Sequence, residues 1–579
     1  MISLKMRSLS LLLLLALLVV LLPACAGAPP ATEQPAAEKP ATEEAAPPAA
    51  TEEPTAKEAV TEEPTAPTEE AAAPTEGSGG ELIIALEADI VSVDPAFAYD
   101  FTTNQVVNQI TEGLLKFTNG EKLEPNLAES WETPDPLTYI YKIRQGVTFQ
   151  DGSPMTIDDI IFNMERIRKP ETASYVGWMY TNVDKIEKMD DWTLKVTLKQ
   201  PDALWQYVPA TTAGHVISKA YYEAHQDNFG KPEGGVLGTG PFKFVSWATG
   251  SEVVLERYDN YWNKANGGPY LDKVIVKILP EPTTRVAGLQ TGELGMVLYA
   301  IPPDQLPVVQ KMTSIEVSAT DSYLNDWVAF NTQRPPFDNV KVRQALNYAV
   351  DKAQVTKTLM GDAGVLARAV PVGPRIWNFE KEKWQAAYDK LPAYEKDLDK
   401  AKQLLEESGV ADQLNGKVIT TDESPVRLGQ ALALQAAAAE LGVKLEIQKV
   451  TGQELTTLSF SGARDYDIAE AQWGSDFPDP AGNLLPLFHS RNTGDGGSNF
   501  ANYRNPELDK LLDEQNSLTD NAKRTDLMIQ AEQILATESV GIVYDHPRQF
   551  MALNKAYTGY SVTPLWYWDA FAKDIKKVE

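Results

Sequence analysis

Residues 431–447 read ALALQAAAAELGVKLEI. Ala431, Leu434, Ala438 and Leu441 recur at three- and four-residue spacing, which is one face of a helix. Gly442 follows where a helix closes in the left-handed conformation. Val443, Leu445 and Ile447 then alternate with Lys444 and Glu446, the pattern of a half-buried strand. A helix that passes directly into a strand is the unit of an α/β fold. The same reading extends outward in both directions. Residues 81–86 (ELIIAL) predict a buried strand, and Trp192, Leu194, Val196 and Leu198 a half-buried one, as do Val274, Val276 and Ile278. Thr156 to Asp159 resembles a capping box, and Ile157, Ile160, Ile161, Met164 and Ile167 follow on one helical face. Asn339 is a good N-cap for a helix carrying Val342, Ala345, Leu346 and Ala349, with Arg343 and Asp351 on its polar side. Gly238, Gly240 and Pro241 permit a sharp turn into a strand. The body is mixed α/β, without internal repeats.

The first eighty residues are of another kind. Lys5 and Arg7 precede an unbroken apolar run, Leu11 to Leu22, and Cys25 is the chain's one cysteine. A run this short with positive charge before it reads as a secretory signal, residues 1–24, and not as a membrane span. Cys25 at the cleavage point reads as a lipidation site. Residues 25–80 are almost entirely Ala, Pro, Thr and Glu, with TEEPTA at 51–56 and again at 61–66. Such a stretch lacks the apolar surface to offset its chain entropy and is expected to be an extended, disordered tether of about 40 Å mean span. A lipid, a leash and a globular body suit a protein held on the outer face of the cytoplasmic membrane.

Of the chain's net −29, the linker carries −10 and the signal +2, leaving about −21 on the 499-residue body. That length is enough for two or three domains. The charge argues against nucleic acid, and with Cys25 as anchor no disulfide forms. Aromatic residues make up 9% of the chain, with twelve Trp; these pack cores and line clefts for small ligands.

Residues suited to bond-breaking chemistry are sparse. His215, His225, His489 and His546 are scattered without metal-ligand spacing, so no metal and no cofactor are expected. No GxGxxG, P-loop or GxSxG motif occurs. Asp476 and Asp479 flank Phe477-Pro478. Paired carboxylates hydrolyse glycosides when they flank a bond, but Asp and Pro are also ordinary turn residues.

Taken in order, a set of segments carries a resemblance: SVDP at 92–95, TEGL at 111–114, LEPNLAESW at 123–131, FQDGSPMT at 149–156, GTGPFKF at 238–244, NYW at 260–262, FNT at 330–332, PFD at 336–338, VRQALNYAVD at 342–351, WGSDFPDP at 473–480 and YRNPE at 503–507. In these the body resembles the extracytoplasmic solute-binding proteins of ABC importers, the family that binds dipeptides, oligopeptides and nickel. The resemblance covers nearly all of 81–579.

It implies an α/β fold of the type II periplasmic-binding-protein kind, with two lobes, a hinge and an extra domain. Lobe I would comprise 81–118, 236–335 and 541–579, domain II 119–235, and lobe III 336–540. Ligand would be buried between lobes I and III as they close, and the closed form would dock on a permease with its ATPase. In oligopeptide-binding relatives an Asp three residues after a Trp receives the peptide α-ammonium, a pattern met here by Trp473 and Asp476. Trp473 and Phe477 would wall that pocket, Tyr99 and Phe101 would face it from lobe I, and Arg464 and Arg368 would be carboxylate partners. A basic residue often stands three before the Trp; here it is Glu470, which leaves room for a cationic or neutral ligand. The expected function is a monomeric receptor for short peptides that breaks no bond. A sugar receptor using Trp327, Trp377, Trp473, Trp566 and Trp568 is the alternative, and a tethered extracellular hydrolase is the alternative of another class.

Overall fold

A computed structural model describes residues 79–118, 121–299, 301–410 and 414–578. The expected signal, Cys25 and nearly all of the linker lie outside the described residues. Gly79 and Gly80 are already part of the body, donating their amides to the Tyr270 carbonyl and the Asp272 carboxylate.

The largest sheet, twelve strands among the described residues, organises the body. Its strands are β1 (Glu81–Leu86), β2 (Phe242–Ala248), β3 (Glu252–Arg257), β4 (Lys273–Ile278), β5 (Met296–Leu298), β6 (Ile315–Asp321), β7 (Leu324–Phe330), β8 (Gly364–Leu366), β9 (Asn415–Thr421), β10 (Lys444–Val450), β11 (Ile468–Gly474) and β12 (Gly541–Asn554). Their order is β2-β3-β4-β1-β5-β12-β7-β11-β9-β10, with β6 and β8 also on β12. One strand therefore serves two halves. Residues 548–554 of β12 pair with β6, whereas 541–545 pair with β7. β6 and β7 are joined only by Ser322 and Tyr323, so the chain crosses between halves at two neighbouring places. β7 pairs with β11 of the 336–540 segment, so strand pairing puts the crossing near Ser322 and Pro547. A separate four-stranded antiparallel sheet, 128–135, 138–143, 193–198 and 183–190, lies within 119–235.

The opening stretch folds as read. Pro425–Glu440 is a helix, here α1, capped by the Ser424 side chain; Gly442 has φ +76°, and β10 begins at Lys444. The N-cap at Asn339 also forms, accepting from the Lys341 amide. Asp159 accepts from the Thr156 amide and hydroxyl, as the capping-box spacing required.

Arg343 corrects its expectation. It lies not on a polar helix face but 2% exposed, and its guanidinium donates to the carbonyls of Phe337, Asp338, Glu538 and Ser539. A fully charged guanidinium has five N–H donors and reads as surface in a pattern. Here loop carbonyls converge on it, which no helical periodicity encodes.

The quoted segments meet one another and build the frame. Glu112 accepts from Tyr261 Oη (2.7 Å), Trp262 Nε1 (2.8 Å) and Thr239 Oγ1 (3.0 Å). Asp94 takes both terminal nitrogens of Arg166 at 2.7 Å. Gln150 Nε2 donates to the carbonyls of Ile110, Gly240 and Phe242. Around that turn Gly238 is required by proximity rather than by φ. A Cβ there would stand 2.2 Å from the Ile110 carbonyl oxygen. Gly238→Ala is expected to cost about 3 kcal/mol, the upper range for overpacking a tight core site, read as a lower urea midpoint at unchanged m-value.

Candidate ligand-binding site

β11 ends at Gly474, and the chain turns through Ser475-Asp476-Phe477-Pro478-Asp479-Pro480 into the helix Ala481–Phe488. Two carboxylates leave this turn in different environments. Asp479 is fully buried and holds Arg524 in a two-pronged pair at 2.8 and 2.9 Å, while also accepting from the Ala481 amide. It is a structural ion pair. Asp476 is 6% exposed and has no cation beside it among the described residues. Its Oδ2 accepts from Tyr99 Oη at 3.0 Å. Burial pushes its carboxyl up to about 7, opposed only by the Tyr99 hydrogen bond. An ionised carboxyl without a counter-charge is costly in such a place.

Three remote parts of the chain enclose Asp476. From the first comes Tyr99, with Phe101 beside it; a Cβ on Gly474 would lie 3.2 Å from the Phe101 ring. From the second, Phe477 is stacked on Tyr207 (5.8 Å) and meets Trp178 edge-on (6.3 Å). Trp178 is 42% exposed. From the third, the C-terminal run Trp566-Tyr567-Trp568 grips the turn's backbone. Tyr567 Oη donates to the Ser475 carbonyl, and Trp568 Nε1 donates to the Asp476 carbonyl at 3.0 Å. Phe101 also touches Tyr299, Trp566 and Tyr567 at 5.2–5.4 Å.

The structure thus gathers Asp476, Phe477, Tyr99 and Phe101. Trp473 belongs to the other strand face, and its ring meets Phe500 edge-on at 6.0 Å. The side-chain hydrogen bonds of Arg464 and Arg368 go to main chain, and Arg464 keeps Nε and Nη1 without a hydrogen-bond partner among the described residues. Arg464 Nη2 donates to the carbonyls of Asn492 and Gly497, and Arg368 Nη1 to that of Leu391. Trp327, Trp377, Trp473, Trp566 and Trp568 are all buried, Trp377 stacked on Trp384 and Trp566 on Tyr299. Sequence reasoning missed Trp178, Tyr207 and Tyr567. Their only signal was aromatic density, which does not distinguish wall from core.

Next to the turn, the Ser475 amide donates to the Tyr323 carbonyl. Beyond it lies a cavity of about 70 Å³ lined by Tyr323, Leu324, Arg375, Ile376 and Asn483, among others. Arg375 and Tyr323 both reach Glu121, of the segment that carries the four-stranded sheet. The cavity therefore sits where the crossing segment meets both flanking bodies. His546, on β12 at its back, is pushed down to about 4 by burial and is neutral at physiological pH. His215 is pushed down to about 3 and bonds Thr111. Among the described residues no group of His, Cys, Asp and Glu is arranged to hold a metal, and no helix is long and apolar enough to cross a membrane.

The turn thus presents a buried carboxyl roofed by aromatic rings from distant segments, and the comparisons name the family. Residues 122–495 match the bacterial extracellular solute-binding proteins, family 5. The chain belongs to this family. Heme-binding protein A of Haemophilus influenzae is 32% identical over 507 residues, covering 82% of this chain and 87% of that protein. The glutathione-binding protein GsiB of Escherichia coli K12 is 28% identical over 488 residues, covering 84% and 92%. Among solved structures, the periplasmic binding protein DppA of Helicobacter pylori, in complex with the peptide STSA, superposes with TM-score 0.75 at 26% identity, over 86% of this chain and 98% of that one. Family 5 members are binding proteins and not enzymes. The chain is accordingly an extracytoplasmic solute-binding receptor of an ABC importer, with the periplasmic-binding-protein fold.

Proposed function

We propose that this receptor captures short peptides by their free amino terminus and hands them to an ABC permease and its ATPase. Asp476 is the residue that carries the reading: a buried carboxyl with no cation beside it among the described residues, at the WGSD turn, bonded by Tyr99 and next to Phe477, which Trp178 meets edge-on. A peptide ammonium supplies the missing charge, and the cavity beside Tyr323 has room for a small side chain. The peptide STSA bound to DppA, and glutathione, itself a tripeptide, in the name of GsiB, support the same ligand class. A sugar ligand is less well served, because the five tryptophans that would stack on it are buried.

In this reading the lobes hinge at Ser322–Tyr323 and at residues 545–548 of β12. Lobe I comprises 81–118 and 236–321 with the end of the chain, domain II is 119–235, and lobe III lies between the hinge strands. Ligand favours closure because only the closed form contacts it from both sides. Cys25 carries the lipid, the stretch from there to the body is the tether, and the body works as a monomer.

The test is mass spectrometry of small molecules released by denaturing the purified body. Short peptides with free amino termini are expected from the parent and absent from Asp476→Ala. Sugars or amines in their place, or equal peptide content in the variant, would defeat the reading.

A further inference from the structure

The segment 119–235 meets both lobes, through seams of unlike kind. To lobe I it is bolted. Arg166 gives both terminal nitrogens to Asp94 in a buried pair at 2.7 Å. Val216 and His215 pair as a short strand with Glu112 and Gly113. Thr212 Oγ1 donates to the Ala98 carbonyl at 2.7 Å, and Gln150 Nε2 holds the carbonyls of Ile110, Gly240 and Phe242. A buried ion pair cannot part without leaving charge inside, and buried main-chain groups keep their partners, so this seam stays shut.

Towards lobe III the contacts are lighter. The Ala203 amide donates to the Asn516 carbonyl at 2.9 Å, and Asn516 Nδ2 donates to Asp202 Oδ1 at 3.2 Å. Asn516 ends the helix Pro506–Asn516, whose last carbonyls have no partner within the helix. Ala203 supplies the donor that this helix end lacks. Asp202 is held ready for its part: its Oδ2 accepts from Asn182 Nδ2 at 2.7 Å and its Oδ1 from the Leu204 amide at 3.0 Å. Further along the seam Tyr207 stacks on Phe477, and Glu121 receives Arg375 at 3.4 Å near the surface. Water can replace each of these polar contacts, so opening the seam strands no buried charge.

Resting on the two-lobed reading above, we propose that residues 119–235 form a clasp, which moves with lobe I and engages lobe III through Asp202, Ala203 and Asn516 only when the cleft is closed. Asn516 and Asp202 are then positioning residues. They act on the ligand by slowing the opening of the closed form, and do not touch it. Ligand and clasp stabilise the same closed state, so each strengthens the other. Tyr207 joins the two, because the ring it brings to the seam lies on Phe477, in the turn that carries Asp476. The lifetime of the captured ligand is set in part by residues remote from it.

The experiment cross-links the seam. Cys25 is the chain's one cysteine, so Ala203→Cys with Asn516→Cys, in a full-length parent carrying Cys25→Ser, can form a single disulfide. Residues that share a main-chain hydrogen bond stand near the separation that a disulfide bridges. Tri-alanine binding is followed by calorimetry and stopped flow, and the radius of gyration by X-ray scattering. Reduced, the cysteine pair is expected to load tri-alanine as the parent does. Oxidised while empty, it takes up none. Oxidised after loading, it keeps the peptide through dialysis and releases it on reduction. Asn516→Ala is expected to release tri-alanine roughly threefold faster, the worth of one hydrogen bond traded for water, with the rate of uptake and the melting temperature of the empty protein unchanged. Loading and release by the oxidised form at the parent's rates would show a seam that never opens and overturn the clasp, as would failure of the two cysteines to join. If the parent takes up no tri-alanine, the peptide reading fails instead and scattering decides: an oxidised form more compact than the reduced one supports the clasp, and equal radii overturn it. If the cysteine pair does not fold, the release rate of Asn516→Ala decides.

Discussion

At pH 8, unliganded Asp476→Asn unfolds at a higher temperature than the parent, and at pH 4 the two unfold together. The Asp476 carboxyl keeps its proton in the folded chain to about pH 7, against an ordinary value of 3.8. Between those values the folded chain binds more protons than the unfolded one. The stabilising contribution is therefore complete below 3.8 and is lost as pH rises through 7. Three units correspond to about 4 kcal/mol, or roughly 4 °C for a body of this length. Asparagine fits the same space, still accepts from Tyr99, and never ionises. Under the proposed function the same substitution removes the charge that holds a peptide ammonium, so stability and capture are expected to move in opposite directions. Melting curves of both proteins from pH 4 to 8, with and without tri-alanine, read both effects. A parallel pair of curves at all pH values would show that Asp476 does not bear the burial cost assigned to it.

The second large effect is the loss of Arg524. Its pair with Asp479 is buried on both sides, 2% and 0% exposed, and the guanidinium also lies 5.2 Å over the Phe379 ring. Removing one partner of such a pair leaves an uncompensated charge inside, at about 3–5 kcal/mol. Arg524→Ala is expected to lower the urea midpoint accordingly. Asp479→Asn with Arg524→Leu recovers much of the loss, because the stranded charge is gone. Equal destabilisation in the single and double variants would mean that packing around Phe379, and not charge, is the dominant contribution. Because Asp479 holds the turn that presents Asp476, the proposed function has peptide capture fall with stability in Arg524→Ala and return in the double variant.

These two aspartates show how far a sequence reading reaches. DFPDP gave two carboxylates three apart and left open turn, acid–base pair or ligand site. The resemblance at WGSD pointed to Asp476 as a ligand residue. The division of labour between them comes from Arg524, forty-five residues on, which neutralises one and not the other. Likewise Arg464 and Arg368 were credible carboxylate partners by residue type alone, yet both face main-chain carbonyls.

Sequence by itself determined the α/β class, the strand at 81–86, the helix–Gly442–strand unit and the N-cap at Asn339. Each depends on periodicity or on a residue within a few positions, and local steric and hydrogen-bonding rules suffice. It also determined the charge balance and the segments by which the family is recognised. Only the tertiary structure decided that one strand, β12, is shared by both halves, that Arg343 is buried, and that Tyr99, Trp178, Tyr207 and Tyr567 converge on a single turn. Those facts depend on which segments, hundreds of residues apart, are brought to one place. Burial and the charge left unpaired there are properties of that assembly and of no local stretch of chain.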